Sequence, residues 1–244
     1  MDTKKPVRQK EEPFRRQRIL AVLSAVVLLL VSLCFAKWML PERKPALAEL
    51  KRPVLLIDPG HGGFDGGAIA YNGVKESDLN LDIALKLQDL ASFYGVETRM
   101  TRQDDKPRTS AQEYSEHEDL VYRADFAGQT PNAVLISIHQ NTFPTSQPSG
   151  AQVLYGPDAE SRKLGELTHR NLIEALQPQN RRVAEPAPKS LYLTAHANCP
   201  VILVECGFLS NLGDLQMLSD PNYQRSLSAV LLASYLQYTA GSIL

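Results

Sequence analysis

The chain has 244 residues, 43% of them hydrophobic, and a formal net charge of −1. That is enough for one well-packed domain and marginal for two. Residues 1–18 hold seven Lys or Arg and three Asp or Glu, a local +4 that leaves −5 for the remainder, so the mildly acidic body gives no electrostatic reason to expect nucleic acid as a partner.

Residues 19–36 are free of charge and uninterruptedly apolar. As a helix at ~1.5 Å per residue they span roughly 27 Å, close to a hydrocarbon core of about 30 Å. Trp38, Met39 and Leu40 extend the stretch toward the interface. Residues 19–40 therefore read as a membrane anchor, with basic residues 1–18 in the cytoplasm and the body outside. The alternative is a cleaved signal peptide, for which Ala46-Leu47-Ala48 has the small-x-small form. The apolar run exceeds the roughly 7–15 residues of a usual signal core. Both readings carry the body across a membrane: anchored by a single pass, or secreted if residues 1–48 are cleaved. Leu33 stands where lipidation of Cys34 would call for a small residue. Residues 41–52, with Pro41 and Pro45, read as a stalk.

From residue 53 strand-like and helix-like segments alternate. Residues 54–58 are a short apolar run ending in Asp58-Pro59-Gly60, a buried strand entering a glycine-rich turn. Leu79, Ile83, Leu87, Leu90 and Ala91 recur at helical spacing over 78–94, with Asp78 as the expected N-cap and Gly95 as the stop. Residues 96–100 read as a second strand, 104–116 as a loop and 117–128 as a helix. Strands are expected at 133–138 and 150–155, and a helix at 158–176. A polar loop rich in Pro and Arg follows. Leu191 to Thr194 reads as strand-like and 200–204 as a buried strand. Residues 221–239 form the last helix, with Pro221 near its start. This alternation predicts an α/β fold: one domain over 53–240, a twisted, mostly parallel sheet with helices on both faces. Cys199 and Cys206 flank a predicted strand, too far apart along it to bond, and read as buried apolar residues.

His61, His139 and Glu205 each fall just past the carboxyl end of a predicted strand, the edge where open α/β sheets bind ligands. Singly, each His is more often structural, and Glu76 reads as a solvated helix-start carboxylate. Glu205 is harder to dismiss, because a carboxylate after Val201-Ile202-Leu203-Val204 is expected to be buried, which is costly unless paired. Together, two imidazoles and a carboxylate can hold Zn2+ with one position open, and a further carboxylate can work the bound water. In that reading His61, Glu76 and His139 are the metal ligands and Glu205 is the catalytic base. Asp58 is a candidate to orient a ligand histidine. His117 and His169 read as surface residues, and His196 as more remote from the site than near it. Arg102 and Arg123 read as structural ion-pair formers. The glycine turn could instead cradle phosphate, but it lacks a P-loop's Lys-Ser/Thr ending and a dinucleotide fold's glycine spacing.

These residues carry a resemblance. Ile57 to Gly63, Glu76 before Leu79 to Ala84, Met100-Thr101-Arg102, Ser137 to Asn141 and Val204 to Asn211 resemble the zinc-dependent N-acetylmuramoyl-L-alanine amidases of the amidase-3 class. The resemblance spans roughly residues 53–240. It implies zinc ligation by His61, Glu76 and His139, catalysis by Glu205, and hydrolysis of the amide between N-acetylmuramic acid and L-alanine in peptidoglycan. Ser77 and Thr142 depart from the common pattern, at positions that touch no proposed ligand. A membrane segment before one bare domain resembles the spore-cortex branch, which helps make muramic-δ-lactam. Without binding repeats, targeting is expected to depend on the anchor or on an activating protein partner. The competing reading is a catalytically silent module that binds glycan or a partner protein; the intact ligand set and Glu205 argue against it.

Overall fold

The computed structural model describes residues 17, 18, 20, 23, 24, 32 and 52–241. The basic segment, the anchor and the stalk expected over 1–52 thus lie almost wholly outside the described residues. Among the described residues, no helix is long and apolar enough to cross a membrane.

The body runs β1 (Val54–Pro59), α1 (Glu76–Phe93), β2 (Thr98–Met100), α2 (Glu116–Gly128), β3 (Ala133–Asn141) and β4 (Gln152–Tyr155). It continues α3 (Ala159–Leu176), β5 (Glu185–Pro186), α4 (Tyr192–His196), β6 (Val201–Phe208), α5 (Leu212–Leu218) and α6 (Pro221–Gly241). The strands form one sheet in the order β2-β1-β3-β6-β4-β5. All neighbours pair in parallel except β4 with β6.

β1, β3 and β6 read as unbroken apolar runs because both their faces are covered. One face turns Leu55, Ile57, Val134, Ile136, Ile202 and Val204 toward Ile83 and Leu87 of α1, Leu164 of α3 and Leu231 of α6. The other turns Leu56, Leu135 and Val201 toward Ala124 and Ala127 of α2 and Leu193 of α4. Each fully buried Leu or Ile stabilises the fold by about 1.5–3 kcal/mol, so the three central strands anchor everything at their carboxyl ends.

The structure bears out the twisted, mostly parallel sheet with helices on both faces and revises several boundaries. α1 starts at Glu76, with Lys75 at the cap position and no side-chain cap bond. Asp78 therefore lies in the first turn and not at the cap. Leu191 to Thr194 is not a strand. Ala195 and Ala197 donate to the carbonyls of Leu191 and Leu193 and close the short helix α4. A brief apolar run does not distinguish a strand from a buried helical turn. α5, unforeseen, is opened by the Asn211 carboxamide accepting from the Asp214 amide. β5, also unforeseen, has two exposed residues and no periodicity to read.

Candidate active site

β1 delivers the chain into residues 60–75, where the backbone folds back on itself. His61 has φ of 60°, and Gly62 and Gly63 follow at 122° and 63°. A non-glycine residue in this left-handed region is uncommon and concentrates at functional sites. The Gly62 and Asp65 backbones then exchange hydrogen bonds in both directions. This turn brings Asp65 back to His61, with Oδ2 2.6 Å from Nδ1. The other oxygen of Asp65 accepts from the Gly67 amide. The His61 Nε2 is left facing Glu76 Oε1 at 3.3 Å.

Glu76 arrives on the first residue of α1 and is buried. Its Oε1 accepts from the Gln140 amide, and its Oε2 accepts from the Ala68 amide, each at 3.0 Å. Asn80, one turn on, donates to the Gly60 carbonyl and receives the Gln140 carboxamide. The carboxylate is thus fixed before any ligand arrives. His139, near the end of β3, puts its Nδ1 3.0 Å from Glu76 Oε1. The two imidazole rings meet edge to face with centroids 5.0 Å apart. One ligand atom from each of His61, Glu76 and His139 falls within 4.8 Å of the others.

Two glycines make room for this cluster. A Cβ on Gly60 would lie 2.2 Å from Cε1 and Nε2 of His139. One on Gly67 would meet Glu76 Oε2 at 2.7 Å, at a φ of 64°. Neither position admits a side chain without displacing a cluster member.

Glu205 stands opposite His139 in the register of β3 and β6. Its Oε2 is shielded from solvent and has no hydrogen-bond partner among the described residues. Burial pushes its carboxyl group up, with His139 opposing and the Glu76 charge reinforcing. Burial alone would lower the His61 imidazole, but the Asp65 and Glu76 carboxylates raise it to about 10. Burial would likewise raise Glu76, yet His139 and His61 hold it well below the usual carboxylate range. Carboxylates that favour a proton on an imidazole also favour a metal cation beside it.

Asp58, expected to orient a histidine, does something else. It is buried, and accepts from Arg123 Nη1 at 2.6 Å, Ser137 Oγ at 2.6 Å and Thr101 Oγ1 at 2.5 Å. Arg123 also bonds Asp119 and the carbonyls of Pro59 and His61. The structural reading of Arg123 therefore holds, and the pair supports the turn from beneath. Arg102 serves the same turn through the carbonyls of Pro59, Gly60 and Ser77. The histidine partner missed in the sequence is Asp65, four residues after His61, a spacing that only a folded-back turn converts into contact.

The other histidines stay outside the cluster. His117 is exposed and meets Tyr192 edge to face. His196 is exposed on α4, stacked on Tyr192. His169 is not a surface residue: it is buried on α3, with Nε2 at 2.8 Å from the Arg182 carbonyl. Cys206 is buried as expected, whereas Cys199 is only half-buried, and both are free thiols.

The fold is a doubly covered, mostly parallel α/β sheet that carries near its carboxyl edge a His–Glu–His cluster able to hold a metal ion, beside a glutamate whose Oε2 has no hydrogen-bond partner among the described residues. Residues 55–234 match the family model described as Amidase_3, N-acetylmuramoyl-L-alanine amidase. The chain belongs to this family and is a peptidoglycan amidase. It is 31% identical over 200 residues to the germination-specific N-acetylmuramoyl-L-alanine amidase of Bacillus subtilis, covering 80% of this chain and 83% of that protein. It is similar to the CwlD amidase of Clostridioides difficile, solved in complex with the GerS lipoprotein. That match has a TM-score of 0.73 and 30% identity, over 78% of this chain and 99% of that one. An N-acetylmuramoyl-L-alanine amidase from Clostridium difficile 630 aligns with a TM-score of 0.68 and 27% identity, over 77% of this chain and 97% of that one.

Proposed function

We infer that His61, Glu76 and His139 hold a zinc ion and that Glu205 is the catalytic base. The observation that carries this is Glu76 Oε1 standing 3.0 Å and 3.3 Å from nitrogens of two different imidazoles. Tetrahedral ligands bound about 2.0–2.1 Å from zinc stand roughly 3.4 Å apart, so the donors suit the ion in kind, and the two Glu76–imidazole pairs suit it in spacing. When bound, zinc supplies Lewis acidity and a water of lowered pKa.

The chain's own residues supply the rest. Asp65 accepts from Nδ1 of His61 and so fixes the tautomer that leaves Nε2 free to ligate. Glu205 Oε2, which has no hydrogen-bond partner among the described residues, is the group that takes a proton from the attacking water. It then returns that proton to the departing nitrogen of L-alanine. Burial raises its pKa above the usual carboxylate range, the direction that favours holding the proton between the two transfers.

The setting in this reading is extracytoplasmic: residues 1–18 cytoplasmic, 19–40 an anchor, 41–52 a stalk and 53–240 the catalytic domain. Peptidoglycan lies on that side of the membrane. Similarity to a germination-specific amidase supports a role in the spore cortex, in muramic-δ-lactam formation. The complex of the CwlD amidase with the GerS lipoprotein supports an activating protein partner.

Metal analysis of the purified chain, alongside digestion of peptidoglycan, tests the reading. We expect about one zinc per chain, and we expect His139→Ala to lose it. Stoichiometric zinc in His139→Ala, or full activity in Glu205→Ala, would overturn the assignment.

A further inference from the structure

His61 also forms one wall of a cavity of 340 Å³ that leads away from the metal cluster. That lies at the small end of ligand sites, which run roughly 300–1,000 Å³. Phe64 and Tyr114 line it, meeting edge to face with centroids 5.9 Å apart. Phe64 is 47% exposed. The wall is held in place: the Gly63 amide donates to Asp105, and a Cβ on Gly63 would lie 2.8 Å from Pro107 Cα.

The buried and half-buried cations of this cavity are engaged, and the exposed Lys106 ammonium lies 3.5 Å from Asp104 at its rim. Arg102 is taken up by three backbone carbonyls. Arg108 pairs with Asp119 and lies 3.4 Å over the Tyr122 ring. Arg123 is held by Asp58 and Asp119. The rest of the lining is aromatic surface with the carboxylates of Glu118 and of Glu113, one oxygen of which already accepts from Ser110. A pyranose ring matches this, with apolar C–H faces for the aromatics and hydroxyls to donate to carboxylates. The stem peptide, which carries carboxylates of its own, does not.

Sheet order agrees. The cavity is built from the turn after β1, the loop after β2 and α2, so it lies toward the β2 edge of the cluster. On the β4–β5 side stands Arg182, which donates to Gln152, stacks on Phe208 and acts on the Glu205 charge. The cation suited to an anionic stem is thus across the cluster from the aromatic cavity.

We propose that the Phe64–Tyr114 cavity is a glycan subsite that seats an uncharged sugar of the peptidoglycan strand next to the reacting muramic acid. The proposal rests on the amidase reading and extends it. The test uses the full chain with Phe64→Ala and Tyr114→Ala. Two substrates are compared: intact peptidoglycan strands, and a muramoyl dipeptide bearing a single sugar. A peptide-free tetramer of β-1,4-linked N-acetylglucosamine serves as the binding probe.

We expect KM on strands to rise about threefold to tenfold, in line with one lost aromatic contact. We expect kcat and turnover of the muramoyl dipeptide to stay unchanged, and tetramer binding to be lost. Equal losses on both substrates would give the cavity to the stem peptide and overturn the proposal, as would unchanged KM with tetramer binding retained. If the wild type released no peptide from strands, the amidase reading would fail on its own. Tetramer binding by the wild type and its loss in Phe64→Ala would still decide the cavity.

Discussion

His139 and Glu205 are register partners across β3 and β6, so their side chains leave the same face of the sheet at the same height. One joins the His–Glu–His cluster, and the other has no hydrogen-bond partner at Oε2 among the described residues. Glu205→Gln keeps the shape and removes the proton acceptor. We expect peptide release to fall by about 10²- to 10⁴-fold, the usual contribution of a general base. Zinc content should be unchanged, and the melting temperature unchanged or higher, because a partly buried carboxylate charge that the Glu76 charge opposes is gone. Loss of metal in this variant would show that Glu205 is a ligand and not the base.

Asp65 provides a sharper test of the turn. Its carboxylate is bonded to Nδ1 of His61 and to the Gly67 amide. Removing such a partner typically costs 10- to 100-fold in metal affinity. Asp65→Ala should weaken zinc binding by about that factor in a chelator competition. Asp58→Ala, one strand residue before the turn, should instead reduce stability, because the groups that donate to Asp58 are Arg123, Ser137 and Thr101. If Asp58→Ala weakened zinc binding while leaving the melting temperature unchanged, the division of labour between the two aspartates would be wrong.

Gly60→Ala isolates geometry from chemistry. The added methyl would fall on the His139 ring, 2.2 Å from two of its atoms. The ring must move while the ligand set stays intact. We expect zinc stoichiometry to drop well below one per chain, with helical content by circular dichroism preserved. Retained zinc with normal activity would mean that the turn can give way at no cost to the cluster.

The central sheet was legible because β1, β3 and β6 are buried on both faces and so read as continuous apolar runs. His61 lies past the end of β1 as expected, whereas His139 and Glu205 lie inside β3 and β6, short of their carboxyl ends, because strand pairing continues to Asn141 and Phe208. The helix that carries Glu76 was legible too, though its start was placed two residues late, at Asp78, because no side chain caps it. The roles of Asp58 and Asp65 were not legible. Both lie within four residues of His61, and what separates them is the positive φ of His61, Gly62 and Gly63. Those angles turn Asp65 back toward the ring and leave Asp58 beneath, facing Arg123. Residue type hints at such a turn through its glycines but does not say which aspartate it returns.

The Asp58–Arg123 pair gives a prediction in pH. Burial alone would raise the Asp58 carboxyl. The Arg123 guanidinium and the Ser137 and Thr101 hydroxyls outweigh that and bring it from 3.8 down to about 2. A carboxylate depressed in the folded state stabilises the fold at pH above its unfolded value, and that stabilisation fades as pH falls through the folded value. The shift corresponds to about 2 kcal/mol. This contribution should therefore be fully present above about pH 4 and lost between about pH 4 and pH 2. Asp58→Asn lacks the titration and leaves Arg123 without its buried counter-charge, a loss of about 3–5 kcal/mol at neutral pH. Denaturant unfolding of both proteins across that window should show the wild type's advantage shrinking as the medium acidifies. A constant gap down to pH 2 would mean that Asp58 is held by its hydrogen bonds in either protonation state, and that the guanidinium serves the His61 and Pro59 carbonyls more than the carboxylate.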